Sequence, residues 1–269
     1  MAYSRTAESR ELSEGRKLVS DMAGIGMLFA APASRDPNIE DTLIAAAVEA
    51  MDRDDLRVAS VMTTWLGIHH PRLNADRLFR VLTDHPSKRV IAYWSAIGRW
   101  LQKDARLARL EGLYGGPQVE LLRSGTAFHV RRKGEDSRFY RSRLRVPAGV
   151  LRDRPADVMS PSELAARHGT YRLRIVIGPS YRADMWAELE RDPELSAAEL
   201  ARRAYGSFAT AWKVRQDWAL LHPAAAADGR RHGRGAGGPA RRGERGVWPA
   251  GRAAGLYGRH GVLADEGVA

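Results

Sequence analysis

The sequence predicts a mainly helical protein with one small antiparallel β insertion (α+β), built from an N-terminal helical bundle and a C-terminal helix-turn-helix. Three observations carry this expectation. Apolar residues recur at helical spacing from Asn38 to about Leu110. Gly112 to Gly116 and then Pro117 break the helical pattern, and the next thirty or so residues change to shorter, alternating patterns. Ser196 to Leu221, SAAELARRAYGSFATAWKVRQDWALL, reads as two helices joined by a tight glycine turn.

Residues 1–35 form a polar leader around a short apolar patch, Met22 to Pro32 (MAGIGMLFAAP). That patch is half of the roughly twenty residues a bilayer span requires. The residues before it mix Arg and Lys with Glu8, Glu11, Glu14 and Asp21, unlike the basic start of a signal peptide. It reads as a packing or partner-docking segment of a cytoplasmic chain with no membrane partner. Over 36–112, Leu43, Ile44, Ala47 and Met51 make one amphipathic face, and Leu56, Ala59, Met62, Trp65 and Leu66 the next. Asn74 caps a helix bearing Leu78, Phe79 and Leu82, stopped by His85-Pro86. A longer helix then turns Ile91, Trp94, Ile97 and Leu101 inward.

Over 117–150, VELLRSG, TAFHVRRKGEDSRFYRSRLRVP and the turn Lys133-Gly134-Glu135-Asp136 read as an antiparallel hairpin or meander. Ser160-Pro161-Ser162-Glu163 opens the 160–222 region as a capping box with proline at the first helical position. The helix SELAARHGTYRLRIVIG follows and ends at Gly178-Pro179. In the hairpin beyond, Ser196 and Glu199 have capping-box spacing, Gly206 supplies a left-handed stop, and Ser207 caps a helix carrying Ala211, Val214, Trp218 and Leu221 on one side. From 223 to 269 alanine, glycine, arginine and proline dominate and apolar periodicity vanishes. This tail reads as a disordered basic arm, as solvated chain, or as GC-rich coding sequence translated out of frame.

Charge points to an acidic partner but is unevenly spread. The formal charge is +11, and from Gly229 onward eight arginines face only Glu244, Asp265 and Glu266. There is no cysteine, which excludes disulfides, thiolate metal sites and thiol nucleophiles. His69-His70 lacks the spacing that sets two ligands on one helical face, Gly24 and Gly26 lack a phosphate-loop context, and no GxSxG occurs. The expectation is a non-enzymatic protein with no cofactor and no metal.

The helices YRADMWAELERDPEL, SAAELARRAYG and SFATAWKVRQDW resemble those of bacterial winged-helix and helix-turn-helix regulators over about 181–221. No alternating strand pattern follows in HPAAAADGRRHGRGAGG, so the resemblance covers three helices without a wing. It implies a transcriptional regulator that binds double-stranded DNA, with the bundle as a homodimer or protein-partner module. On the second motif helix the arc opposite Val214 and Trp218 carries Lys213 and Gln216, with Thr210 at its edge and Ser207 at its start. Gln216 suits adenine, and Lys213 suits guanine or phosphate. Arg202 and Arg203 would touch backbone phosphates. Arg141, Arg143 and Arg145 alternate, which on a strand makes a basic row for phosphates or simply a solvated face. The competing expectation is a non-catalytic interaction protein, such as the antitoxin-like partner of a toxin or nucleotidyltransferase, whose helical hairpin is only packing.

Overall fold

The computed structural model describes residues 12–223, so the 223–269 tail expectation lies almost wholly outside the described residues. The described part is mainly helical. Its helices are α1 (Gly15–Gly24), α2 (Ile39–Asp52), α3 (Leu56–His69), α4 (Ala75–Thr83), α5 (Lys88–Trp100), α6 (Ala105–Ala108), α7 (Thr126–Lys133), α8 (Pro161–Arg167), α9 (Gly169–Val176), α10 (Tyr181–Arg191), α11 (Ala197–Arg203) and α12 (Phe208–Leu221). None of the described helices is long and apolar enough to cross a membrane.

Capping side chains set most helix starts. Asn38, Asp55, Asn74 and Ser87 each accept a hydrogen bond from a first-turn backbone amide of α2, α3, α4 and α5. Behind these caps α2, α3 and α5 surround one core in which Leu43, Met62, Trp65, Trp94 and Ile97 have no exposed surface. Each such side chain contributes about 1.5–3 kcal/mol of apolar burial. The first half of the leader's apolar patch belongs to this core: Met22, Ile25 and Met27 are buried in it beside the preceding Leu18, and Trp65 donates its indole N–H to the Ile25 carbonyl at 2.7 Å.

The antiparallel insertion is not what forms. Two short strands, β1 (Val119–Glu120) and β2 (Leu144–Arg145), pair in parallel, with Val119 opposite Leu144 and Glu120 opposite Arg145. Parallel neighbours need a long crossover, and α7 occupies it. Thr126 turns the chain inward by exchanging hydrogen bonds with the Leu122 backbone, donating to its carbonyl at 3.1 Å and accepting from its amide at 3.2 Å. The basic residues Arg131, Arg132 and Lys133 then fall in the last helical turn, where the helix dipole favours cations. All that remains of the expected hairpin is a single antiparallel bridge between Glu135 and Pro147.

The segment expected as one helix over 162–178 is two. His168 sits in extended backbone between α8 and α9 and accepts from the Tyr171 amide, capping α9 with its own ring. The capping box at Ser160 and Glu163 is complete.

Candidate nucleic-acid interface

Helices α10, α11 and α12 enclose a second, separate core. Met185 and Leu189 come from α10, Leu195 from the loop, Leu200 from α11, and Ala211, Val214 and Trp218 from α12. A 2.6 Å ion pair between Arg182 and Asp217 ties α10 to α12, and the Trp186 and Trp218 rings meet at 5.2 Å. The turn between α11 and α12 differs in detail from its sequence expectation. Tyr205, not Gly206, takes the left-handed backbone, at φ 54°. Gly206 instead lets the Met185 methyl group pack against the turn: a β-carbon there would overlap that methyl and make the end of the Met185 side chain shift. The Arg77 guanidinium lies 3.9 Å over the Tyr205 ring and Arg80 donates to the Tyr205 carbonyl at 2.9 Å, so α4 of the bundle holds this strained turn in place.

The capping box at Ser196 is half formed. Its hydroxyl accepts from the Glu199 amide, but Glu199 turns away to Arg202 and Arg203 instead of reaching back. The hydrogen bonds from Arg202 and then Arg203 hold the Glu199 carboxyl down at about 2. Arg203 also lies 3.6 Å from Asp192 and 3.9 Å from Glu188. Both expected phosphate contacts on α11 are therefore already engaged by carboxylates. Ser207 accepts from the Thr210 amide at 3.0 Å, and the two hydroxyls lie 2.7 Å apart, half-buried at the start of α12. Lys213 and Gln216 are exposed on the side of α12 away from its packed edge.

Arg141, Arg143 and Arg145 do not share a strand face. Arg141 has left-handed backbone, at φ 55°, which breaks the alternation, and its guanidinium rests 5.2 Å over Tyr140. Arg143 is exposed and donates to the Gly116 carbonyl at 3.3 Å. Arg145 alone lies in a strand, 3.1 Å from Glu135 and 3.9 Å from Glu120.

Several organising residues were not singled out by spacing. Arg174 has no exposed side-chain surface and donates to both oxygens of Glu40, at 2.6 and 2.8 Å, and to Asp184 at 2.8 Å. Asn74 donates to the other Asp184 oxygen at 3.1 Å, and Arg77 grips Asp41 at 2.8 Å. This network joins α2, α4, α9 and α10, and so fixes the three-helix unit to the bundle. Burial opposes charge on Glu40, but Arg174, with Arg77 and the Asn74 amide, outweighs it and holds the carboxyl below its ordinary range. His69, the last residue of α3, is buried and bonded to the Tyr171 hydroxyl at 2.8 Å and the Met159 carbonyl at 3.0 Å. Burial pushes it down to about 4, against the opposing pull of the Met159 carbonyl. Four large apolar side chains on α12 are exposed: Phe208, Trp212, Leu220 and Leu221, the last expected on the packed side with Trp218 but left in solvent because the second core ends at Trp218. A period count that included the outer arc of α12 would have found the first three.

A cleft of about 560 Å³ lies between the 34–42 segment and α10–α11, lined by Arg35, Asp36, Asp41, Glu188 and Arg191 among others. Its alternating signs create no single-signed field for a phosphate backbone. Comparison with protein-family models, with curated proteins and with solved structures gives no match to this chain in any of the three.

Proposed function

We propose that this chain is a cytoplasmic, non-catalytic DNA-binding regulator in which α12 is the recognition helix and the bundle serves as a dimerisation or partner module. The observation that supports it is the mounting of α12. Only its Ala211–Val214–Trp218 edge packs against α10 and α11, leaving Ala209, Lys213 and Gln216 exposed on an arc free to enter a major groove. Gln216 would read adenine through its paired amide groups, and Lys213 would reach guanine or phosphate. The test is the affinity of the full chain for duplexes selected from a random pool. Gln216→Ala is expected to weaken the selected site by about 1–3 kcal/mol and to leave random duplex nearly unchanged.

A second reading, an antitoxin-like protein that docks a toxin or nucleotidyltransferase, is favoured by the chemistry of the same arc. Phe208 is 57% exposed, Trp212 52% and Leu220 78%. Residues 181–223 also carry six Lys and Arg against seven Asp and Glu, little charge with which to grip DNA. If Gln216→Ala and Lys213→Ala leave every duplex affinity unchanged in a folded protein, the DNA reading fails. Loss of a captured protein partner on Phe208→Ala/Trp212→Ala would then support the interaction reading.

A further inference from the structure

Away from α12, the described chain gathers an excess of unpaired cations in one segment. Residues 123–145 hold eight Lys and Arg against Glu135 and Asp136. Three of the eight are neutralised: Arg123 by Asp54, Arg138 by Asp136 and Asp153, and Arg145 by Glu135. The other five, Arg131, Arg132, Lys133, Arg141 and Arg143, are exposed and meet no carboxylate among the described residues.

Two aromatic rings stand among these cations. Phe128 and Tyr140 are each 55% exposed, and a guanidinium already lies against the Tyr140 ring. On α7, Thr126 is the buried anchor, and Phe128, Arg131 and Arg132, three and four positions apart, share the opposite, outward face. Seven residue steps separate Lys133 from Tyr140, at most about 25 Å of chain. Gly134 (φ 80°) and the single helical turn at Ser137–Phe139 shorten that path. The segment is also firmly backed: the Asp136 amide bonds to the Val146 carbonyl at 2.8 Å and the Ala148 amide to the Gly134 carbonyl at 3.0 Å. A rigid support carrying exposed rings between unpaired guanidiniums matches the needs of a strand with free base faces and regularly spaced phosphates. Bases stacked within a duplex offer no such faces.

We infer that the outward face of α7 and the Tyr140–Arg143 loop form a binding surface for single-stranded nucleic acid, with Phe128 and Tyr140 stacking bases and Arg131, Arg132 and Arg141 holding phosphates. This surface is distinct from α12 and does not depend on the reading of that helix.

The experiment uses the full chain with labelled 20-nucleotide oligo(dT), oligo(rU) and a mixed-sequence duplex, titrated by fluorescence anisotropy over a salt series. Phe128→Ala/Tyr140→Ala leaves the charge unchanged and empties no core position. It is expected to weaken oligo(dT) or oligo(rU) about fivefold or more for each ring, with Phe128→Tyr close to wild type and duplex affinity preserved. Arg131→Ala/Arg132→Ala/Arg141→Ala should lower the single-strand salt slope by about two. The proposal is overturned if the double aromatic variant, folded by circular dichroism, stays within twofold of wild type on both single strands. It is equally overturned if duplex and polyglutamate lose as much as the single strands, which would make the surface a generic anion patch. Lys213→Ala/Gln216→Ala serves as the internal comparison: it should move duplex selectivity and leave oligo(dT) binding alone, so failure at one surface is distinguishable from failure at the other.

Discussion

Replacing Arg174 with methionine removes the central cation of a network that has almost no contact with water. Glu40 then keeps the Asn74 amide at 2.9 Å but loses both guanidinium bonds, and Asp184 keeps only Asn74. Two carboxylates are left buried without their counter-charge, a situation that costs about 3–5 kcal/mol. With a urea m value of about 2–3 kcal/mol/M, the midpoint should fall by about 1–2.5 M at pH 7. The pH dependence has a definite sign. In the wild type the Glu40 carboxyl is held below its ordinary range, so its contribution is present above the unfolded pKa and lost as pH falls. In the variant burial is opposed only by Arg77 and the Asn74 amide, so the Glu40 carboxyl rises and protonation relieves the damage. The gap between the two proteins should therefore narrow from pH 7 toward pH 4.5, and Arg174→Met/Glu40→Gln should recover part of it at pH 7. Hydrogen exchange should show α10–α12 loosening before the bundle. A variant within about 1 kcal/mol of wild type, or a gap that does not change with pH, would refute the argument that these charges hold the two cores together.

Two further outcomes follow from other buried groups. His69, pushed down to about 4 in the folded chain, must be neutral there, so its share of stability, up to about 3 kcal/mol, should drain away as pH falls from about 6.5 toward 4. His69→Gln should flatten that part of a pH–stability curve, and an unchanged slope would count against the assignment. Trp218→Ala should cost about 3–5 kcal/mol by emptying the second core, read as a lowered midpoint for the α10–α12 signals in native-state hydrogen exchange. Loss confined to fraying of the last turn would show that Trp218 packs too little to act as a core residue.

The helical parts were legible because their signals are local. Leu43, Ile44, Met62 and Trp94 repeat at helical spacing, and all four have no exposed surface. The caps at Asn74, Ser160 and Ser207 follow from side chains within three residues of the amides they satisfy. The insertion misled because Thr126, Phe128 and Val130 alternate as strand residues do, yet no partner strand lies beside them and the Thr126–Leu122 bonds turn the chain into a helix. The Glu40–Arg174–Asp184 network was illegible for a different reason. Its members are 134 and 10 positions apart in sequence, and no period announces a pairing of that kind. Of the expected contact residues, Lys213 and Gln216 sit on the exposed arc as the wheel required. Arg202 and Arg203 carry an ion pairing that spacing did not announce, because Glu199, expected as a cap, is drawn to them instead.

The grip of Arg77 and Arg80 on Tyr205 bears on how this architecture can be reused. An excised 180–223 fragment would retain its small core but lose the clamp on its strained turn, together with the counter-charge for Asp184. The three helices are thus riveted to the bundle at the joint that aims α12. They do not form a portable cassette that recombination could graft onto another scaffold. Because the turn that leads into α12 is held by two arginines of α4, the direction in which α12 leaves that turn is set partly from the bundle and not by its own three-helix core alone.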